Sequence, residues 1–252
     1  MSNRMEGKAA LITGGSSGIG REIAREYAEE GAKVAIFARR PDRIEEVAGE
    51  LGVIGIAGDV TNPDDCARAV AECVDAFGGL TTLVNSAGVI GGAGSADTEW
   101  EEWQRIMAIN VDGTVHMCRA ALDALKAAES GSIVNLSSVT GTRPFAQVTA
   151  YCMAKAAVDM YTRCLALELA GDNVRVNAIA PGVVVTNLHT VTNAVEDYAG
   201  FLERSKETHP LGFVGEPKDI AAMALFLGSD ESRWATGGIY PLDGGRACLS
   251  AR

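Results

Sequence analysis

The sequence predicts an α/β fold: one doubly wound domain whose seven-stranded parallel sheet carries helices on both faces. Three observations predict it. Short β-branched runs alternate with helical patterns along the whole chain. A glycine-rich turn joins the first such run to the first helical pattern. The chain has 252 residues, enough for one sizeable core, and no linker, low-complexity tract or repeat divides it. A single domain over residues 1–252 is expected.

The expected strands are 9–13 (AALIT), 33–38 (KVAIFA), 53–57 (VIGIA), 80–86 (LTTLVNS), 132–137 (SIVNLS), 175–180 (RVNAIA) and 238–242 (GIYPL). The first helix turns Ile19, Ile23, Tyr27 and Ala28 inward and stops at Gly31. Asp42 with Glu45 reads as a capping box ahead of Ile44, Val47, Ala48 and Leu51. Thr98 with Glu101 reads as another, before Trp100, Trp103 and Ile106. Asn62 before Pro63, and Pro217 ahead of Ile220, Ala224 and Leu227, mark two further helix starts. From about Asn187 to Val214 periodicity fails in a mixture of Thr, Asn, His, Glu and aromatics. That segment reads as an insertion over the sheet edge, a substrate lid at about 187–213.

Composition narrows the function classes. Hydrophobic residues make up 47% of the chain, yet no uninterrupted apolar run approaches the ~18 residues of a membrane span. A formal net charge of −11 opposes attraction to nucleic acid and to anionic lipid surfaces, so neither is an expected partner. Met1–Gly7 (MSNRMEG) lacks the apolar core of a secretory signal, and a cytoplasmic address is expected. Cys66, Cys73, Cys118, Cys152, Cys164 and Cys248 form no CxxC pair and read as mostly buried thiols. His116, His189 and His209 have no ligand-like spacing, so no metal is expected.

The first strand runs into Thr13-Gly14-Gly15-Ser16-Ser17-Gly18-Ile19-Gly20 and then into a helix. Glycines there permit a tight turn and close backbone approach. The free N–H groups and positive dipole end of the helix favour a pyrophosphate. Between the first strand and first helix of a βαβ unit, such a turn indicates dinucleotide binding on a Rossmann-like sheet. At the end of the second strand, where a carboxylate would bind a ribose 2′-hydroxyl, the chain reads Phe37-Ala38-Arg39-Arg40. Two guanidiniums without a carboxylate favour NADPH over NADH, although either arginine, and Arg40 above all, also reads as an ordinary surface charge. Asp59, after the third strand, reads equally as a holder of the adenine amino group or as an organiser of the next turn.

At the other end of the expected cleft, Tyr151 and Lys155 stand four residues apart in TAYCMAKAAVDMYTRCLALELA. That spacing puts them on one helical face with Cβ atoms roughly 5–6 Å apart. A free phenol has a pKa of about 10, and a fixed cation nearby would bring it toward use as an acid or base. Ser138 closes the fifth strand thirteen residues before Tyr151, and ligands of doubly wound sheets bind beyond strand carboxyl ends, so the two can converge. Serine at a strand end is otherwise common turn chemistry. Asn110, between Ile109 and Val111 in a long helical pattern, is placed against its helix propensity. It can interrupt or tether the backbone and hold a water, or be a surface residue. No GxSxG elbow is present and no histidine is placed as a base for Ser138, so hydrolase chemistry is not indicated.

Together these residues resemble the short-chain dehydrogenase/reductase family, from about Gly7 to Gly245. Thr13 to Gly20 is similar to its TGxxxGxG cofactor turn, and Asn85-Ser86-Ala87-Gly88 to its NNAG segment, with Ser86 in place of the second asparagine. Asn110, Ser138, Tyr151 and Lys155 resemble its catalytic tetrad, Asp59-Val60 its adenine-side pair, and Pro181-Gly182 with Thr186 its PGxxxT stretch beside the nicotinamide. The resemblance implies cofactor contacts from Gly14, Ser16, Ser17, Gly18, Ile19, Gly20, Arg39, Arg40, Asp59, Val60, Asn85, Ala87, Gly88, Tyr151, Lys155, Pro181, Gly182, Val184 and Thr186. It also implies a mechanism. NADPH gives a hydride to a carbonyl carbon, Tyr151 gives the proton, Ser138 hydrogen-bonds the substrate oxygen, and Lys155 lowers the tyrosine pKa and binds the nicotinamide ribose. Asn110 holds a water linking Lys155 to solvent.

The expected pocket wall is Gly91, Gly92, Ala93, Val139, Phe145, Gln147, Val148, Val183 and parts of 187–213. Mostly small and apolar, it suits an uncharged ketone or secondary alcohol, with Gln147 either reading a substrate oxygen or solvated. A 3-oxoacyl thioester on a carrier protein is the alternative substrate, and a non-catalytic dinucleotide sensor the alternative outside catalysis. The resemblance further suggests a homotetramer, or a homodimer, built through helices around 98–128 and 150–170 and the last strand.

Overall fold

The computed structural model describes residues 3–191, 195 and 197–249. Strands β1 (Ala9–Thr13), β2 (Lys33–Ala38), β3 (Ile54–Ala57), β4 (Thr82–Asn85), β5 (Gly131–Leu136), β6 (Val174–Pro181) and β7 (Ile239–Leu242) form one sheet. Its order is β3-β2-β1-β4-β5-β6-β7, and every pairing is parallel. The helices are α1 (Gly18–Glu29), α2 (Pro41–Leu51), α3 (Pro63–Phe77), α4 (Trp100–Met107), α5 (Gly113–Ala127), α6 (Thr149–Leu169), α7 (Leu188–Val191), α8 (Tyr198–Glu207) and α9 (Pro217–Gly228).

The strands read as continuous apolar runs because both sheet faces are covered. Ala10 and Ile12 of β1, with Val34 and Ile36 of β2, pack against Ile23 and Tyr27 of α1, Val47 of α2 and Ile220 of α9. The alternate residues Leu11, Ala35 and Phe37 point the other way, toward Cys66 and Val70 of α3, Met117 of α5 and Leu165 of α6. Strand order reverses between β1 and β4, which both neighbour the start of the chain's winding. Their carboxyl ends therefore splay the connections apart and leave a crevice.

Local helix signals were partly overridden. Asn62 caps α3, accepting from the Asp64 N–H at 3.0 Å. The Asp42–Glu45 box does not form, because Pro41 takes the first helical position and makes Arg40 the cap. Asp42 instead complements the positive end of α2 from within its first turn. Thr98 does not cap α4 either: its hydroxyl donates to the Gly94 carbonyl at 2.6 Å, and Glu99 occupies the cap position. In α9 the Asp219 carboxylate reaches back to the Glu216 N–H at 2.7 Å, a cap that Pro217 alone did not reveal.

The segment expected as an aperiodic lid contains α7 and α8, while 192–194 and 196 lie outside the described residues. Of the ten residues of α8 only Ser205 is buried, and the half-buried Tyr198, Phe201 and Leu202 beside it make a stripe too short to read against the surrounding polar residues. The cysteines also differ from expectation: Cys66, Cys73 and Cys118 are buried, Cys152 is half-buried, and Cys164 and Cys248 are exposed. Among the described residues no helix is long and apolar enough to cross a membrane. None of their His, Cys, Asp and Glu side chains cluster as a metal site.

Candidate active site

A cleft of about 570 Å³ occupies the crevice. One end is built from main chain. Gly14 has φ +66°, and a Cβ there would lie 2.9 Å from Ser86 O and Ala87 N, so the turn lies flush against the tail of β4. Thr13 fixes that contact, its hydroxyl oxygen accepting from the N–H groups of Ser86 and Ala87 at 3.0 Å each. The serine that replaces the second asparagine of the NNAG pattern therefore keeps its backbone satisfied. A Cβ on Gly20 would stand 2.6 Å from Gly14 O, so α1 begins directly on the turn.

Ser17, at the cap position of α1, makes no side-chain cap, and the first turn of α1 has no acidic residue. The positive end of the helix is left uncompensated beside Ser16, Ser17, Gly18, Ile19 and Gly20, which all line the cleft. A pyrophosphate fits this donor set. Farther along, Arg39 and Arg40 line the cleft from the end of β2. Both are exposed, and neither has a carboxylate partner among the described residues. Asp59 also lines the cleft, with Val60, but its Oδ1 accepts from the Thr61 N–H and hydroxyl at 2.9 Å each. One oxygen thus organises the turn while the side chain still borders the cleft.

Asn85 departs from expectation. It does not line the cleft; its Nδ2 donates to Asn135 Oδ1 at 2.9 Å and to Cys118 Sγ at 3.2 Å, tying β4 to β5 and to α5. Ala87, Gly88, Pro181, Gly182, Val184 and Thr186 all line the cleft.

The other end is built from buried side chains. Tyr151 and Lys155 share the inward face of α6, at 7% and 5% exposure, and both line the cleft with Ser138. Lys155 Nζ donates to Leu136 O at 2.8 Å, at the end of β5, and lies 5.5 Å from the centre of the Tyr151 ring. Ser138 sits two residues past β5, its hydroxyl oxygen accepting from the Thr140 N–H at 3.2 Å.

Asn110 occupies a π-helical turn, Ala108–Asp112, between α4 and α5. It does not line the cleft but stands directly behind it: a Cβ on Gly88 would be 2.9 Å from Asn110 Oδ1 and 3.6 Å from Lys155 Nζ. Its Nδ2 donates to Val89 O and Ile106 O at 2.9 Å each. Both amide hydrogens are thereby used, and Oδ1 has only the Val89 N–H at 3.4 Å. Any water held by Asn110 would have to donate to that oxygen.

The electrostatics correct one expectation. Burial pushes the Tyr151 phenol up to about 12, and the hydrogen bond with Ser138 acts the other way without overcoming it. Burial also draws Lys155 down to about 8, opposed by the nearby Asp159 carboxylate. The protein alone does not lower the phenol. Lys155, spent on the Leu136 carbonyl and weakened as a cation by its own burial, does not offset the desolvation of the ring.

Only part of the expected pocket wall lines the cleft. Gly91, Gly92, Ala93, Val139, Phe145, Gln147, Val148 and Val183 do not line the cleft, although Asn187, Leu188 and His189 of the expected lid do. Gly91 packs on Ile106, where a Cβ would come within 2.7 Å of Cδ1. Val183 is buried, its N–H donating to His209 Nε2 at 3.1 Å. Gln147 is exposed at φ +65°. Ile109, Leu136 and Ser137 line the cleft without having been assigned a role, since their places arise only once the π turn before α5 and the end of β5 converge.

Known proteins match the chain along almost its entire length. A family model described as enoyl-(acyl carrier protein) reductase matches residues 14–247. A 2,5-dichloro-2,5-cyclohexadiene-1,4-diol dehydrogenase of Sphingobium indicum is 41% identical over 250 residues, 97% of this chain and 98% of that protein. An NADP-dependent (R)-specific alcohol dehydrogenase of Lentilactobacillus kefiri is 36% identical over 252 residues, 97% of this chain and 98% of that protein. The crystal structure of a short-chain type dehydrogenase/reductase from Mycobacterium marinum has a TM-score of 0.90 at 36% identity, covering 97% of each chain.

Proposed function

The chain belongs to the short-chain dehydrogenase/reductase family, and from that premise we propose that it is an NADP(H)-dependent oxidoreductase interconverting a ketone and a secondary alcohol. The observation that carries this reading is the meeting of Tyr151, Lys155 and Ser138 with the glycine-rich turn in one cleft. When bound, the nicotinamide supplies the hydride. Tyr151 gives the proton to the substrate oxygen in reduction and takes it in oxidation. Ser138 donates a hydrogen bond to that oxygen as its charge develops. Lys155, anchored on Leu136 O, presents its charge beside the phenol and toward the nicotinamide ribose. Asn110 holds the Val89 main chain and offers Oδ1 as the anchor of a proton path from Lys155.

Preference for NADP(H) rests on Arg39 and Arg40, cleft-lining guanidiniums with no carboxylate among the described residues to neutralise them. An NADP-dependent relative at 36% identity agrees with it. The 187–213 segment serves as the lid over the substrate. Assembly is as a homotetramer, for which the exposed Met153, Met160 and Leu167, seven residues apart along α6, supply an apolar stripe. A light-scattering mass equal to one chain would remove that assignment.

A second reading is reduction of an acyl thioester on a carrier protein, which the description of the matching family model favours. A net charge of −11 disfavours an acidic carrier. The test is a panel of ketones and carrier-bound thioesters run with NADPH and with NADH, followed by cofactor absorbance. Turnover of free ketones, faster with NADPH, is the expected result. Faster turnover with NADH would remove the role given to Arg39, and turnover confined to thioesters would install the second reading.

A further inference from the structure

Beyond the catalytic end of the cleft, two arginines from distant parts of the chain come together. Arg246 opens a 3-10 turn, Arg246–Cys248, after β7. The Asp243 carboxylate fixes this turn by accepting from the N–H groups of Gly245 and Ala247 at 2.9 and 2.6 Å. Arg143 lies in the segment between Ser138 and Tyr151, and its Nη1 donates to the carbonyls of Arg246 and Ala247 at 2.8 and 3.2 Å. The Arg246 guanidinium rests 4.8 Å from the centre of the Phe145 ring, in that same segment.

Stacking on Phe145 accounts for the orientation of Arg246 but not for its charge environment. Arg246 is partly buried, its Nε is buried without a hydrogen-bond partner, and a second guanidinium lies close enough to disfavour its charge. Neither arginine has an ion pair among the described residues, although Asp and Glu number 33 against 22 Lys and Arg. The carboxylate that does favour the Arg246 charge, Asp243, is already committed to two backbone N–H groups. Burial and the neighbouring Arg143 guanidinium outweigh that one carboxylate, and a bound anion relieves the remaining cost. Neither arginine lines the cleft itself, but the turn that carries Arg246 packs against its wall: a Cβ on Gly182, which lines the cleft with Tyr151 and Ser138, would stand 2.9 Å from Asp243 Cα.

We propose that Arg246 and Arg143 form an anion subsite at the substrate mouth of this cleft, and that the natural substrate is a ketone or secondary alcohol bearing a carboxylate or a similarly compact oxyanion. The proposal rests on the oxidoreductase reading above and narrows its substrate class. It replaces the uncharged compound expected from an apolar wall. A planar guanidinium stacked on a ring offers paired N–H donors to such a group. Arg39 and Arg40 line the opposite, nucleotide end of the cleft, so the two cation pairs address different ligands.

Short oxo acids, such as acetoacetate, and their isosteric amides separate charge from shape. Wild-type protein is expected to favour the acid by about tenfold or more in kcat/KM with NADPH, expressed mainly in KM. Arg246→Gln is expected to erase that ratio and Arg246→Lys to retain part of it. Using the acid-to-amide ratio makes the readout independent of how much of each variant is folded. Calorimetric binding of the same pair to protein saturated with NADP+, where a ketone cannot react, gives the ratio without turnover. An equal ratio in wild type and Arg246→Gln would overturn the proposal. So would a tenfold weakening of NADPH in Arg246→Gln, because the charge would then serve the cofactor. Charge-selective binding without turnover would remove the reaction assignment alone, whereas turnover without charge selection would remove the anion subsite alone.

Discussion

At the glycine-rich end of the cleft the groups on offer are main-chain N–H donors and bare glycine faces, whereas at the far end they are the side chains of Tyr151, Lys155 and Ser138, each no more than 7% exposed. The first end works through positions where a side chain cannot fit: a Cβ on Gly14 or Gly20 would meet backbone at 2.9 or 2.6 Å. The second works through ionisable groups that burial perturbs in opposite directions, the phenol up to about 12 and the amine down to about 8. Binding at the nucleotide end therefore needs no titrating group, while chemistry at the far end is tied to two. Substitutions should separate the ends cleanly, one set acting on cofactor affinity and the other on turnover and pH dependence.

The largest effect is expected from Tyr151→Phe. Removing the hydroxyl deletes the proton donor, and the rate should fall by about 10²–10⁴-fold. NADPH affinity, read by fluorescence titration, should change by less than about twofold, since the ring remains in place. Unchanged turnover would take the proton step away from this residue.

Lys155 gives the same comparison a stability signature. Its drop from 10.5 to about 8 corresponds to roughly 3 kcal/mol of unfavourable burial in the charged form. Below about pH 8 folded and unfolded chains both hold the proton, and the whole penalty applies. Between about 8 and 10.5 the unfolded chain binds more protons at this site, so the penalty is relieved as pH rises. Tyr151, raised to about 12, opposes this only above about pH 10, where the unfolded phenol ionises first. Lys155→Met should thus stabilise the cofactor-free protein at pH 7, by about 1–3 kcal/mol after loss of the bond to Leu136 O. The gain should shrink by pH 9.5. Urea unfolding at the two pH values measures it, and a gain independent of pH would mean that Lys155 is not depressed.

At the nucleotide end Gly14→Ala should weaken NADPH by about 10- to 100-fold, the equivalent of 1–3 kcal/mol of strain at a positive φ. Turnover at saturating cofactor should be kept. A fall in saturated turnover without a change in affinity would erase the distinction between the two ends.

What the sequence made legible follows the same division. The five inner strands were readable because residues buried on both sheet faces form nearly unbroken runs, and the ends of all seven differ from expectation by at most two residues, as at the edge strand 53–57 against Ile54–Ala57. The glycine turn was readable because close backbone approach demands one residue type at fixed spacing. Asp42 misled because Pro41 won the first helical position. Asn110 was visible as an oddity, but its π-turn and its contact with Val89 depend on the packing of α4, α5 and the strand-end loop. Asn85 carried the right motif and yet serves the sheet, since its partner Asn135 is fifty residues away. Arg143 and Arg246 gave no local signal at all. They are 103 residues apart, and only the C-terminal turn brings them together.

The smallest effect is expected where the nucleotide end does use side chains. Arg39 is exposed, so water and salt screen its charge, and a contact with a 2′-phosphate should be worth about 1 kcal/mol rather than the several of a buried pair. Arg39→Ala should weaken NADPH about fivefold and leave NADH nearly unchanged. Arg40, one residue farther along and equally exposed, should matter less. The NADPH effect should also fade between 50 and about 500 mM salt, as expected when the Debye length shortens below ~5 Å. The contacts made by Gly14 and Gly20 are steric and should not respond to salt in that way. Equal loss of NADPH and NADH on Arg39→Ala would mean that the guanidinium stacks on the adenine instead of reading the 2′ position, and the nucleotide end would then discriminate its cofactor by some other group.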